Sequence, residues 1–306
     1  MQKTRLDQYL AAQHQHYSRT QIKKLIDEGF VLVDGRTRKP SFLLSGGENI
    51  EMVRRAPEIP KAEAEELPLE ILYEDDDLMV INKAPGMVVH PAPGNITGTL
   101  VSAILHHLRR SARFGETRPG IVHRLDKGTS GAMVVAKNDQ VQRSLSNQFK
   151  DRKVEKFYRA VVFGTFKQKS GTINKAIGRD TIHRRKFSSK TKHAREAVTH
   201  YEVTRQYRGL ALLTLKLETG RTHQIRVHLS ESGHPIVGDT LYGAKSFLSS
   251  IKDEGIAADL GALERPLLHS WRLAFFHPAK KGEKVSFEAP IPEDFQRVVR
   301  LLEGGE

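Results

Sequence analysis

The stretch "LALLTLKLETG" at residues 210–220 repeats with a period of two. Leu213, Leu215 and Leu217 face one way, and Thr214, Lys216 and Glu218 face the other. This is the signature of a β-strand with one side on a core and one side on water. "KFYRAVVFG" and "REAVTHYEV" also read as strands, and "LMVINKAPG" and "GAMVVAKN" as strands that run into turns. Helical spacing interrupts them at intervals. It appears in "TLVSAILHHLRRSA", with Leu100, Ala103, Ile104 and His107 on one side, in "DQVQRSLSNQFKDR", with Asp139 as N-cap, and in "THQIRVHLSESG". There is no regular βαβ rhythm and no internal repeat. The pattern predicts an α+β domain built on a largely antiparallel or mixed sheet.

The first fifty residues follow another plan. Leu6, Tyr9 and Leu10 recur at helical spacing, and "SRTQIKKLIDEGF" forms a second helix that Ser18 caps and Gly29 stops. Ile22, Leu25 and Ile26 make its buried stripe, which leaves Arg19, Lys23 and Lys24 on a basic outer face. The Asp34-Gly35 turn joins strand-like runs, with Arg36, Arg38 and Lys39 beside it. Residues 1–58 thus read as a small α/β module. "RRAPEIPKAEAEELP" lacks apolar periodicity and supplies a linker, set at 59–68, before a larger domain at 69–306.

Charge gives the first functional constraint. A net charge of +13 fits a polyanionic partner, and the basic helix face and basic turn suit sequence-tolerant phosphate contact through Arg19, Lys23, Lys24 and Arg36. The competing reading is lysines that only solvate a small domain. Between Arg179 and Arg195, "GRDTIHRRKFSSKTKHAR" carries seven Lys or Arg against one acid, Asp180. It is either a solvated loop or a phosphate track in which Arg184 and Arg185 take part. No apolar run approaches the roughly 20 residues of a membrane span. The opening "MQKTRLDQYL" lacks a signal peptide's apolar core. The absence of cysteine removes disulfides and thiolate chemistry and fits a reducing compartment. The expectation is a cytoplasmic monomer.

Three stretches bring unusual polar residues to strand ends: "GIVHRLDKGTSGAMVVAKN", "EKFYRAVV" with Lys156 and Tyr158, and "ETGRTHQIRVHL" with Arg221. Singly, each has an ordinary explanation. Asp126 could cap a turn, Tyr158 could be a half-buried strand residue, and Arg221 could end a helix. Several chemistries fail on residue types. A zinc deaminase needs a cysteine pair, His223 and His228 miss the i, i+4 spacing of a helical metal pair, and no phosphate-binding glycine loop appears. "GTSG" does not match a nucleophile elbow, and no second acid stands out for a two-carboxylate glycosidase. A lone carboxylate, an aromatic hydroxyl and an arginine are left, behind a basic module. His123 is expected to make a structural hydrogen bond.

With those residues in view, "HRLDKGTSG" resembles the signature of the RluA-type pseudouridine synthases. "KFYRAVVFG" and "LETGRTHQIRVHL" are similar to that family's second and third motifs, in the same order. "YEDDDLMVINKAPGMVVHPAPGNITGTLVSAILHH" resembles its entry segment, and "RPLLHSWRLAFFHP" with "FEAPIPEDF" its closing one. The first fifty residues resemble the small RNA-binding module of the ribosomal-protein S-four type. With "VVHPAPGN", the whole looks closest to the RluD branch. Two departures stand out: Lys83-Ala84-Pro85-Gly86 places the proline one residue late, and Gly128 replaces a frequent acid.

The resemblance implies that uridine in RNA is converted to pseudouridine, with neither cofactor nor metal. It implies a stem-loop of large-subunit (23S) ribosomal RNA, or its assembly intermediate, as substrate. Other family members act on other ribosomal or transfer RNA sites. Asp126 matches the catalytic aspartate, Tyr158 the tyrosine that stacks on the base, and Arg221 the arginine that pairs with the aspartate. Such a carboxylate acts as nucleophile or base only if a nearby cation keeps it ionised. Arg124 matches the arginine that fills the space of the extruded nucleotide, and Ile225 is a candidate apolar contact to the base. A catalytically idle RNA-binding or ribosome-assembly protein and a nucleoside or glycoside hydrolase are the alternatives.

Overall fold

The structure is a computed structural model that describes residues 4–14, 17–52, 62–92, 95–110, 120–183 and 185–304. It divides into two compact units, one ending at Lys61 and one beginning at Ala62.

The first unit contains β1 (Thr4–Arg5), α1 (Leu6–Gln13), α2 (Arg19–Asp27), β2 (Val31–Val33), β3 (Arg36–Thr37), β4 (Leu43–Leu44) and β5 (Ile50–Met52). β2 is the centre of an antiparallel sheet in the order β3-β2-β5, and β1 pairs with β4. At the start of α2 the Ser18 hydroxyl accepts from the Gln21 amide while the Gln21 side chain accepts from the Ser18 amide. This reciprocal cap satisfies two otherwise free donors. Gly29, at φ +77°, stops the helix. Leu6, Leu10, Ile22, Leu25, Ile26, Val31 and Val33 close the core. Lys23, Lys24 and Arg36 are exposed. Arg19 is exposed as well, and its guanidinium also reaches the buried Asp7 carboxylate at 2.8 Å, a partner shared with Arg5 at 2.9 Å. A buried acid needs such cations, and the two arginines hold Asp7 below the usual carboxylate range, Arg5 contributing most.

The second unit runs β6 (Glu70–Glu74), β7 (Leu78–Lys83), α3 (Leu100–Arg110), β8 (Gly120–Ile121), β9 (Ser130–Ala136), α4 (Asp139–Lys150), β10 (Glu155–Phe163) and β11 (Ser170–Asn174). It continues through the short β12 (Gly178–Arg179) and β13 (Phe187–Ser188), β14 (Val198–Tyr207), β15 (Leu210–Leu217), α5 (Gln224–Glu231), α6 (Glu254–Gly261), β16 (Leu268–Phe276), β17 (Lys284–Glu288) and α7 (Glu293–Gly304). Its main sheet has the order β11-β14-β15-β10-β16-β9-β7-β6, with β17 on β16 and β8 on β9. Every pairing is antiparallel except β16 with β9. The fold is therefore α+β on a mixed, mainly antiparallel sheet, as the strand pattern implied.

Both faces of this sheet are covered. Leu100, Ile104 and Leu108 of α3 and Ile225 and Leu229 of α5 pack with Met133, Val135, Leu213 and Leu215 on one face. Val141 and Leu145 of α4 pack with Val80, Val134 and Phe275 on the other. That is why Leu78–Ile81 of β7 and Ala132–Ala136 of β9 read as continuous apolar runs, buried on both faces. Two local expectations shift. Asn138, not Asp139, caps α4, its side chain accepting from the Val141 amide at 2.9 Å, so the helix starts at Asp139 itself. His107 leaves the apolar side of α3 to meet Glu74 at 2.9 Å, and Leu108 fills the core. Residues 62–69 lack regular secondary structure, but Glu65 is tied to the second unit through Ser102 and the Gly98 amide.

Candidate active site

The loop between β8 and β9 is built to hold Asp126 still. Leu125 anchors in the core, and the Thr129 amide donates to the Asp126 carbonyl at 3.0 Å, which closes the turn. Gly131 then meets β16 in the parallel pairing of β9 with that strand. At φ +115°, a Cβ there would sit 2.2 Å from the Ser270 carbonyl oxygen, so only glycine fits. Beneath the loop, the Lys83 ammonium donates to the carbonyls of Ala84 at 2.8 Å and Met87 at 2.9 Å, and the Gly86 amide donates to that of Lys127 at 2.8 Å. The shifted proline of "KAPG" thus leaves a turn stitched to the Asp126 loop. Burial pushes the Lys83 ammonium down to about 7. His123 makes the structural bond expected of it. Its Nε2 accepts from the Val134 amide at 3.0 Å, and its ring stacks on Phe149. Burial holds it at about 3, so it stays a neutral acceptor.

Asp126, Arg124, Tyr158, Arg221 and Ile225 line one pocket with Thr129, Leu217, His223 and Arg226. The structure thus brings together all the expected residues of the larger unit except those of the basic segment. It differs on the ion pair. Arg226 Nη1, on α5, lies 3.2 Å from the Asp126 carboxylate. Arg221 is exposed at the rim, its Nε donating to the Glu196 carbonyl at 3.1 Å. The reason is helical geometry: Arg221 precedes α5 and points to the edge, whereas Arg226 is the third residue of a helix whose residues from Gln224 to Leu229 are all buried. A guanidinium in that position demands a carboxylate partner. Burial alone lowers Arg226, but Asp239 and then Asp126 outweigh it and raise it above the ordinary arginine value.

Tyr158 enters from β10 and is buried. Burial, with a smaller push from the charge of Asp126, lifts the phenol to about 12, so it is protonated at neutral pH. Ile225 is 4% exposed and belongs to the core as well as the pocket wall. His223 was not foreseen. It is the left-handed N-cap of α5 at φ 58°, with Nε2 3.8 Å from Asp126 and Nδ1 2.8 Å from the Tyr242 hydroxyl. Burial holds it below its ordinary value and hence neutral. A neutral ring carries one proton, and the carboxylate side favours Nε2–H, so Nδ1 accepts from Tyr242. That same hydroxyl accepts from the Phe187 amide at 2.8 Å, which ties the β12–β13 hairpin to the pocket. In the basic segment Arg185 is exposed, while Arg184 lies outside the described residues. Among the described residues, no cluster of three or more metal-ligating side chains occurs, and no helix is long and apolar enough to cross a membrane.

Residues 77–231 match the RNA pseudouridylate synthase family. The chain belongs to the RluA-type RNA pseudouridine synthases. Residues 4–50 match the S4 domain. A protein of Aquifex aeolicus named "Uncharacterized RNA pseudouridine synthase" is 45% identical over 303 residues, spanning 98% of this chain and 94% of its own length. The "Ribosomal large subunit pseudouridine synthase D" of Neisseria meningitidis serogroup A is 43% identical over 299 residues, 97% of this chain and 78% of that protein. The solved structure of human RNA pseudouridylate synthase domain containing 1 superposes with a TM-score of 0.57 at 27% identity, over 77% of this chain and 95% of that one. The chain is accordingly an isomerase that acts on uridine in RNA.

Proposed function

We propose that the pocket around Asp126 isomerises uridine in a stem-loop of large-subunit ribosomal RNA. The observation that carries this reading is one carboxylate, held by a buried arginine, beside a buried tyrosine at the floor of a pocket rimmed by Arg124 and Arg221. The target uridine is extruded from its stack into this pocket, and Arg124, exposed at the mouth, fills the space it leaves. Asp126 acts on the ribose or the base while Arg226 fixes its orientation. The N1–C1′ bond breaks, the uracil turns, the C5–C1′ bond forms, C5 loses its proton and N1 gains one, so the reaction balances without a co-reactant. Tyr158 stacks on the base. Its raised phenol makes it a poor base at neutral pH, which favours stacking over direct proton abstraction. Ile225 supplies an apolar contact.

The ribosomal target is supported by the Neisseria relative's name, and such a substrate would be met in the cytoplasm, where we take the protein to act as a monomer. We divide the chain into an RNA-binding module (1–58), a linker (59–68) and a catalytic domain (69–306). Pseudouridine mapping of ribosomal RNA from cells with and without the protein tests the target. Loss of signal at one or a few large-subunit uridines is expected, and unchanged ribosomal RNA with loss from transfer RNA would move the target there.

Lys23, Lys24 and Arg36 are the phosphate contacts of the module, and Arg185 is one on the catalytic domain. Arg19 is left out because its charge is engaged by Asp7. Changing Lys23, Lys24 and Arg36 together to glutamate should flatten the slope of log affinity against log salt by at least about 2, from roughly 0.7 to 0.9 per contact. The rate at saturating RNA should hardly change. A slope equal to that of the parent would remove these residues from the interface.

A further inference from the structure

The arginine of the catalytic pair has a second partner that no motif led us to expect. Arg226 turns its Nε and Nη2 edge to Asp239, with contacts of 2.7 and 2.9 Å, and leaves only Nη1 for Asp126, at 3.2 Å. Asp239 is 1% exposed, and its carboxylate also accepts from the Tyr242 amide at 3.3 Å, capping the short helical turn Thr240–Tyr242. The Tyr242 ring lies 5.0 Å from the Arg226 guanidinium carbon. Before Asp239, Gly238 sits at φ +79°, where a Cβ would come 2.0 Å from the Arg265 carbonyl. The backbone that presents Asp239 is thus fixed by close packing.

A guanidinium that touches a carboxylate through one nitrogen can swing about that contact, whereas a two-point pair on its other edge fixes its plane. We propose that Asp239 is the positioning residue of the catalytic pair: it clamps Arg226 so that a single N–H is aimed at Asp126 and the remaining lone pairs of Asp126 stay open to the substrate. The Arg226 guanidinium is thus shared between two carboxylates, with its two-point face given to Asp239. Asp126 is thereby oriented through a single contact. The inference rests on Asp126 and Arg226 being the reacting pair.

The test uses the full-length protein and RNA carrying 5-tritiated uridine, in single turnover at saturating enzyme. Asp239→Asn keeps the shape and the cap on Thr240–Tyr242 but loses the charged two-point grip. Its tritium release should slow by about 10- to 100-fold while RNA affinity stays within twofold, the split expected when only a transition-state interaction is lost. Asp239→Glu keeps the charge but displaces the grip and should show the same split. Both are also made in an Arg226→Gln background. There they should cost less than twofold further, because a residue acting through Arg226 has nothing left to position. A folded Asp239 variant that turns over at the parent rate overturns the proposal, as does an equal loss in both backgrounds, which marks a purely structural acid. A parent protein that releases no tritium from any RNA would contradict the proposed function instead, so the two failures are distinct.

Discussion

Asp126→Asn is expected to lower tritium release from 5-tritiated uridine in RNA by about 10⁴-fold or more, the scale of losing a group that enters the reaction covalently or as base. RNA affinity should hold or rise slightly, since one negative charge leaves a pocket that receives a polyanion. The fold should survive for a specific reason. Arg226 loses a charged partner at 3.2 Å, but its two-point contact with Asp239 remains, so no buried cation is left unpaired. Asparagine can still accept from Nη1. A folded variant with near-parent turnover would take Asp126 out of the chemistry.

The second large effect separates two arginines. Arg226→Gln should reduce the single-turnover rate by roughly 10²- to 10³-fold, in the range of removing a preorganised electrostatic partner. It should also destabilise the protein by about 3–5 kcal/mol, because Asp239 would be left buried without its cation. Arg221→Gln removes an exposed side chain whose Nε donates to one carbonyl. Its stability should change by under about 1 kcal/mol and its rate by less than tenfold. Thermal melts and single-turnover rates for both variants decide the matter. A reversed order, with Arg221 the costly residue, would return the ion pair to the position that the motif resemblance suggested.

The arginine assignment shows where reading the chain stopped short. The period-two pattern of Leu213, Leu215 and Leu217 was enough to place β15 with one face on the core, because alternation depends only on local backbone geometry. The capping box at Ser18 and the stop at Gly29 were legible for the same reason. The pocket was legible through its motifs, since Asp126, Tyr158 and Ile225 occupy strand ends and a helix start that converge. Choosing between two arginines five residues apart needed the phase of α5, and that helix is buried almost all round, so it offers no polar face to set the phase. A signal was present all the same. An arginine inside "QIRVHL" cannot be buried alone, so a carboxylate partner was implied. Asp239 was invisible because its role depends on a contact across thirteen residues and a turn set by Gly238. The Asp7 contact of Arg19 was hidden for a similar reason: its helix face was legible, but the carboxylate comes from another helix.

The reaction proposed for this pocket detaches uracil and rejoins it through C5. Its most direct measurement follows tritium release and nucleoside products together, from 5-tritiated ribosomal RNA fragments treated with the intact protein. One pseudouridine is expected for each tritium released, with no free base. Free uracil in place of pseudouridine, or no release from any RNA, would contradict it.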